Sequence, residues 1–541
     1  MRRLFLLISI AGSLSAQVSF DRILNADKEP QNWLTYSGSM MSQRHSLLTQ
    51  ITPQNVKNLE QQWVFQTRSL EKFEATPIVA DGIMYTVQAP NDVVALDPVT
   101  GRVFWTYSYS PSPQSRPCCG RVNRGVAILG DTLFMGTIDA HLLAIDAKNG
   151  RPLWNAAVAS AESGYAITHA PLVVKDKVIV GVAGGEFGIR GFIAAYNVRT
   201  GKEAWRFYTI PGPGEPGHES WSGDSWKTGG ASVWMTGSYD PALNLTYWGI
   251  GNAGPDYNGD LRVGDNLYSS SVVALDADTG KLKWYYQHSP HDEFDYDSVQ
   301  VPVLADISFG GQPRKVMLWA NRNGFFYVLD RATGQFLLGK PFVDVTWASG
   351  FDEKGRPMRI SGKVPTEEGT VIFPGNQGGT NWYSPSFSPR TGLFYIPSWV
   401  NYSSVYIKAD AEYTEGRRFV GTSPRSVIGG ATGGVSKINT RREDEGYGAV
   451  RAIDPKTGER KWEFKMNDVT DAGILTTASD LLFSGGREGY FYALDARNGE
   501  LLWKANLGGF IAAGPMSYAV NGKQYIAINA GNSLFVYALR E

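Results

Sequence analysis

Cys118 and Cys119 are the only two cysteines of the 541-residue chain, and they are adjacent. Across a trans peptide their Cα atoms stand about 3.8 Å apart, below the usual disulfide range. A bridge between them would be strained and would close almost no loop, so it would stabilise the fold little. The residue types leave three states open: a functional disulfide, two buried thiols, or half of a zinc site. Zinc is the weakest of these, because the spacing is wrong for a shared ion and no partner cysteines exist. A second cluster is PHDEFDYD, in which Asp295 and Asp297 lie two residues apart. On an extended strand both carboxylates would point to the same side. His288 and His291 flank this stretch and read as structural or supporting groups.

The elements that must position these residues are announced by repetition, which is sought before local structure. An apolar strand, then Asp or Asn, Thr or Asn with Gly, and Trp four residues on, recurs from Asp97 to Trp105, Asp146 to Trp154, Asn197 to Trp205, Asp276 to Trp284, Asp454 to Trp462 and Asp495 to Trp503. Asp330 to Phe336 is a degenerate copy, and SPRTGLFYIP around Gly392 a weaker one. Each phrase reads as a β-hairpin: the Asp caps the turn, the Gly takes positive φ, and apolar runs flank it. Another strand pair follows each Trp, giving about four strands per repeat, which is one propeller blade. Six full and two degenerate copies predict an all-β, eight-bladed β-propeller of four-stranded antiparallel blades. The tryptophans are expected to pack between blades. Long insertions near 211–227 and 401–448, the latter with ATGG and the charged run Arg441 to Glu445, are expected to build or cover the rim of a binding face.

Composition agrees with many tight turns and a large all-β protein: 61 glycines, 12% aromatic residues and only 19% charged ones. A net charge of −1 gives no electrostatic reason for a nucleic-acid partner. Residues 1–16 read as an export signal, with Arg2 and Arg3, the apolar run Leu4 to Ala11 and a small-residue exit at Ser13 to Ala16. Residues 17–541 then form one domain without a transmembrane segment, in the oxidising periplasm, where disulfides persist.

The ordered motifs CCGRVNRG, APLVVKDKVIVG, GGEFGIRGFIAAY, YDPALNLTYWGIGN, PHDEFDYD and NRNGFFYVLDR resemble the pyrroloquinoline quinone (PQQ)-dependent alcohol dehydrogenases, near the methanol dehydrogenase branch. The resemblance implies a vicinal Cys118–Cys119 disulfide against one face of the quinone and the indole of Trp234 against the other. It implies polar contacts to PQQ from Glu74, Arg124, Thr168, Arg322 and Asn381. It places one metal ion on Glu186, Asn252 and Asp295, oxygen donors suited to a hard cation, and makes Asp295 the general base. Asp297 adds a further carboxylate facing the ion, which favours a lanthanide over Ca²⁺. Ala183 departs from the methanol branch, which has Ser there.

What the resemblance implies is oxidation of a primary alcohol to its aldehyde. Both cysteines lie in one adjacent pair, so no CxxCH heme attachment is available in the chain. No heme is therefore expected, and electrons are expected to pass to a soluble periplasmic cytochrome c. The alternatives are a PQQ-dependent sugar or polyol dehydrogenase and a non-catalytic propeller scaffold. The scaffold would share the Asp-to-Trp phrase but has no need of the site residues together. The preferred alcohol has no readable code, and neither has oligomeric state, a homodimer being one option.

Overall fold

The computed structural model describes residues 18–421 and 446–540. The export signal at 1–16 lies outside the described residues, as do ATGG and the charged run Arg441 to Glu445. Eight antiparallel four-stranded units form the blades of an eight-bladed β-propeller, one of them extended by the short parallel strand His45–Ser46. The first blade is Ile78–Ala80, Ile83–Gln88, Asp92–Leu96 and Val103–Tyr107, each strand paired to the next. The repeated phrase forms its last hairpin. Asp97 Oδ1 accepts from the N–H groups of Val99 and Thr100, and Gly101 turns at φ 73°.

The tryptophans join neighbouring blades, as expected. The indole of Trp63 packs on Gly101, Trp105 on Gly150, Trp154 on Gly201 and Trp205 on Gly280. Each N–H donates to a carbonyl of that next turn: Trp63 to Pro98, Trp105 to Ala147, Trp154 to Val198 and Trp205 to Ala277. A Cβ at Gly150 would come within 2.6 Å of the Trp105 ring. The glycine thus serves both the left-handed turn and the ring that lies on it.

The total of eight is right, but one blade is built differently from the sequence reading. The SPRTG phrase makes the first hairpin, Ser386–Ser388 to Leu393–Val400, of the same blade whose last hairpin carries Asp454. The remaining blade has no copy of the phrase. It joins Met516–Val520, Lys523–Ala530 and Ser533–Leu539 to Leu59–Gln66 from the other end of the chain. Leu59 to Gln66 pair with Leu539 to Ser533, which closes the ring.

The extra length between Asn197 and Asp276 also divides in two. One part, 211–228, holds two short 3₁₀ turns and buries Trp221. The other runs from Ile250 to Ser270 between two strands of one blade and carries Asn252 into the site. The described start of the later insertion covers that loop: Phe419 N–H donates to the Glu186 carbonyl, and Tyr257 N–H to the Val420 carbonyl.

Candidate active site

Glu186 sits on a one-turn 3₁₀ helix, Gly185–Phe187, between Gly184 at φ 120° and Gly188 at φ 62°. Both flanking residues adopt backbone that side chains disfavour, which explains the GGEFG sequence. Asn252 Oδ1 faces this turn closely enough that a Cβ on Gly185 would lie 4.0 Å from it. Asn252 also donates its backbone N–H to Asp297 Oδ1 at 2.8 Å. Here the extended-strand expectation is corrected. Residues 292–297 form a loop, not a strand, and Asp295 has φ 59°. Asp295 and Asp297 still converge, because Arg322 spans them: Nη2 donates to Asp295 Oδ2 at 3.0 Å and Nη1 to Asp297 Oδ2 at 2.6 Å. Arg322 is itself clamped by the Asn376 carbonyl and by Gly378, where a Cβ would strike its stem at 2.3 Å.

Cys118 and Cys119 are bonded to each other. Cys119 Sγ lies 4.0 Å from Glu186 Oε1, and Cys119 is exposed. Cys118, Cys119 and Glu186 bring three metal-type donor atoms within 4.8 Å of one another, yet an oxidised pair offers no thiolate to an ion. The zinc and free-thiol readings therefore fall away.

Arg124 gathers the remaining polar groups. Its guanidinium pairs with Glu74 at 2.8 Å and donates to Thr168 Oγ1 at 3.1 Å. It lies 5.2 Å from the Trp234 ring centroid and 4.4 Å from that of Trp382. Trp234 is half-buried beside Ala170, Met235, Val299 and Val301. Asn381 is buried at the edge, where its Oδ1 accepts from the Trp382 N–H. The expected residues fall into two groups: Glu74, Thr168, Trp234 and, through Trp382, Asn381 around Arg124, and Asn252, Asp295 and Asp297 around Arg322, with Glu186 beside Cys119 and Asn252. His288 and His291 line the supporting wall: His288 stacks on Trp319, and His291 bonds the Gly264 carbonyl.

Sequence reasoning missed Tyr257, whose hydroxyl donates to Asp295 Oδ2 at 3.1 Å, and Asp256, buried beside it. Only their position four and five residues after Asn252 could have signalled them.

The electrostatics of this network are unbalanced. Burial pushes the carboxyls of Glu186, Asp256, Asp295 and Asp297 above the usual range, and each is raised further by at least one of its neighbours or opposed mainly by Arg322. Arg322, the guanidinium that pairs directly with Asp295 and Asp297, is held in its charged form by them. Four carboxylates, those of Asp256 and Asp297 buried and those of Glu186 and Asp295 half-buried, against one such guanidinium form a site that a multivalent cation would stabilise. The donors are all oxygen, so they fit a hard ion. The half-buried Trp234 indole, the disulfide with its exposed Cys119, and the polar groups of Arg124, Arg322 and Asn381 are of the types that fit a flat polyanionic cofactor.

Residues 33–346 match the family model described as the glucose/ethanol/alcohol dehydrogenase β-propeller domain for PQQ, and residues 446–539 match that of the outer membrane protein assembly factor BamB. The first match contains every site residue except Asn381. The chain is 38% identical to the quinoprotein alcohol dehydrogenase PedH of Pseudomonas putida, over 96% of this chain and 90% of that one. It is 39% identical to the quinohemoprotein alcohol dehydrogenase ADH IIB of Pseudomonas putida, over 96% of this chain and 76% of that one. A europium-containing methanol dehydrogenase structure superposes with a TM-score of 0.88 at 34% identity, covering 96% of this chain and all of the other.

The ADH IIB relative corrects the expectation of a heme-free enzyme. That expectation counted attachment sites within these 541 residues alone, where both cysteines are spent on one disulfide. A relative that is a quinohemoprotein shows that this fold works with heme, so heme is not excluded from the enzyme by the missing motif. Among the described residues no helix is long and apolar enough to cross a membrane. The matched family, the relatives and the eight-bladed fold agree with the ordered site motifs: the chain belongs to the PQQ-dependent quinoprotein alcohol dehydrogenases.

Proposed function

We propose that this quinoprotein oxidises a primary alcohol to its aldehyde in the periplasm, with PQQ and one metal ion bound by the network around Arg322, and passes the electrons to a cytochrome c. The observation that carries this reading is the convergence of Asp295 and Asp297 on Arg322, with Asn252 bonded to Asp297 and Glu186 next to Asn252. When bound, PQQ supplies the acceptor for the two electrons of the alcohol, and the metal the Lewis acidity that favours their transfer. Glu186, Asn252, Asp295 and Asp297 would hold the ion. Glu74, Arg124, Thr168, Arg322 and Asn381 would hold the quinone edge, between Trp234 and the Cys118–Cys119 bridge.

Asp295 serves as general base. Tyr257 and Arg322 both donate to its Oδ2, which turns the carboxylate and leaves Oδ1 to take the hydroxyl proton. Its side chain is 18% exposed, so a small alcohol can reach it. The left-handed backbone at Asp295 costs about 1 kcal/mol and aims the carboxylate away from the path a strand would impose. Arg322 opposes the rise that burial imposes on the Asp295 carboxyl and pairs with Asp297 as well.

Three carboxylates in the proposed ligand set favour a lanthanide over Ca²⁺, a preference supported by the likeness to a europium-containing methanol dehydrogenase. A heme-bearing relative supports a c-type heme as the next electron carrier. Steady-state dye reduction over a panel of alcohols, sugars and polyols, with PQQ and either Ca²⁺ or a light lanthanide, tests the reading. Primary alcohols should turn over fastest; faster turnover of sugars or polyols would replace it.

A further inference from the structure

Asp256 has no assigned part in the site, yet it is built into it. It is 3% exposed, and its Oδ1 has no hydrogen-bond partner. An unpaired buried carboxylate oxygen is costly unless something compensates it. The groups that face its charge are Asp295, Glu186, Asn252 and Asp297, all of them residues of the proposed metal site. Its backbone is fixed from behind: Arg262, fully buried, donates to the carbonyls of Pro255, Asp256 and Asp292. Arg262 thereby ties the Asp256 loop to the Asp295 loop through their carbonyls and leaves Asp256 Oδ1 without a hydrogen-bond partner.

Asp297 is differently placed. Its Oδ1 accepts from the Asn252 N–H and its Oδ2 from Arg322, so both oxygens already have a donor. Asp256 Oδ1 has none. We infer that Asp256 is an additional carboxylate ligand of the metal ion, giving the site four acidic side chains, Glu186, Asp256, Asp295 and Asp297, with Arg322 as the guanidinium paired to two of them. When all four are ionised, they carry three negative charges more than Arg322 balances, an excess that favours a trivalent cation over a divalent one.

This inference rests on the metal-binding reading above and is tested apart from turnover. The full chain, loaded with PQQ, is titrated with Eu³⁺ and with Ca²⁺, and the metal-free protein is melted in parallel. Asp256→Asn should weaken Eu³⁺ binding about tenfold or more and Ca²⁺ binding less, because the lost charge matters most to the trivalent ion. The same change should leave the metal-free Tm unchanged or raise it, since it removes a buried carboxyl crowded by Asp295 and Glu186. Asp260→Asn, which alters an exposed acid paired with Lys408, should bind Eu³⁺ as the parent does. Unchanged Eu³⁺ affinity in Asp256→Asn, or a metal-free Tm that falls with it, overturns the assignment and makes Asp256 a structural residue. If Asp256→Asn does not fold, Asp256→Ser carries the comparison, and failure of both to fold without metal overturns it equally. A parent chain that binds neither ion overturns the metal reading itself, and this inference with it.

Discussion

Arg322 Nη1 lies 2.6 Å from Asp297 Oδ2, while the other oxygen of Asp297 takes the Asn252 N–H. Asp297 is therefore held rigidly at the edge of the site, where its charge adds to those of Asp295 and Glu186. Asp297→Ser removes that charge and leaves the proposed base in place. Lanthanide-supported activity should fall, and calcium-supported activity should be kept or gained, as read by dye-linked rates across a titration of each ion. An equal loss with both ions would mark Asp297 as a general structural residue.

The Cys118–Cys119 bridge closes a minimal loop, so it contributes about 1 kcal/mol or less to stability in the chain-entropy view. Thiol titration of the denatured, unreduced protein should find no free thiol. The double variant Cys118→Ser, Cys119→Ser should melt close to the parent yet lose dye-linked activity, because Cys119 lies beside Glu186 and Cys118 only borders the core.

Gly150 tests the contact between blades. A Cβ there meets the Trp105 ring at 2.6 Å, and the residue has φ 75°. Gly150→Ala should destabilise the fold by about 1–3 kcal/mol through overpacking and backbone strain. Gly82, with φ 79° and open space around it, should cost less on the same substitution. Denaturant or thermal melts of the two variants give the comparison.

Burial lowers His288 to about 3, and His45 and His169 to about 4. Each is neutral when folded and binds a proton once unfolded below about 6.5. The unfolded state thus holds more protons between pH 6.5 and 4. Stability from these groups is fully present above 6.5 and is lost as pH falls, by about 1.4 kcal/mol per pH unit for each proton. Tm should drop through this window, and His288→Phe should flatten the slope. The buried His288 ring, stacked on Trp319 and without a hydrogen bond on either nitrogen, tolerates that change.

Some of this molecule was legible before its fold was known. Asp97, Gly101 and Trp105 carry their hairpin and their contact to the next blade in local spacing, so the repeat could be read directly. The pairing of Leu59–Gln66 with Ser533–Leu539 could not, because no local phrase marks strands brought together from opposite ends of a chain. Gly392 misled for a related reason: a turn phrase says that a hairpin is present, not which hairpin of the blade it is. At the site, Glu186, Asn252 and Asp295 were visible through their motifs. The left-handed backbone at Asp295 was not, since Asp adopts that conformation without a sequence mark of its own. Asp256 and Tyr257 follow Pro255 in what reads as an ordinary turn, and only the fold carries them to Asp295.

The most direct test of the account is Asp295→Asn, assayed with PQQ and either ion. The amide cannot take the hydroxyl proton at neutral pH, so alcohol oxidation should fall by about 10²–10⁴-fold with both Ca²⁺ and a lanthanide. The absorbance of the bound quinone should remain, since Trp234, Arg124 and the disulfide are untouched. Substantial turnover in a variant that still binds PQQ would contradict the assignment of Asp295 as the base.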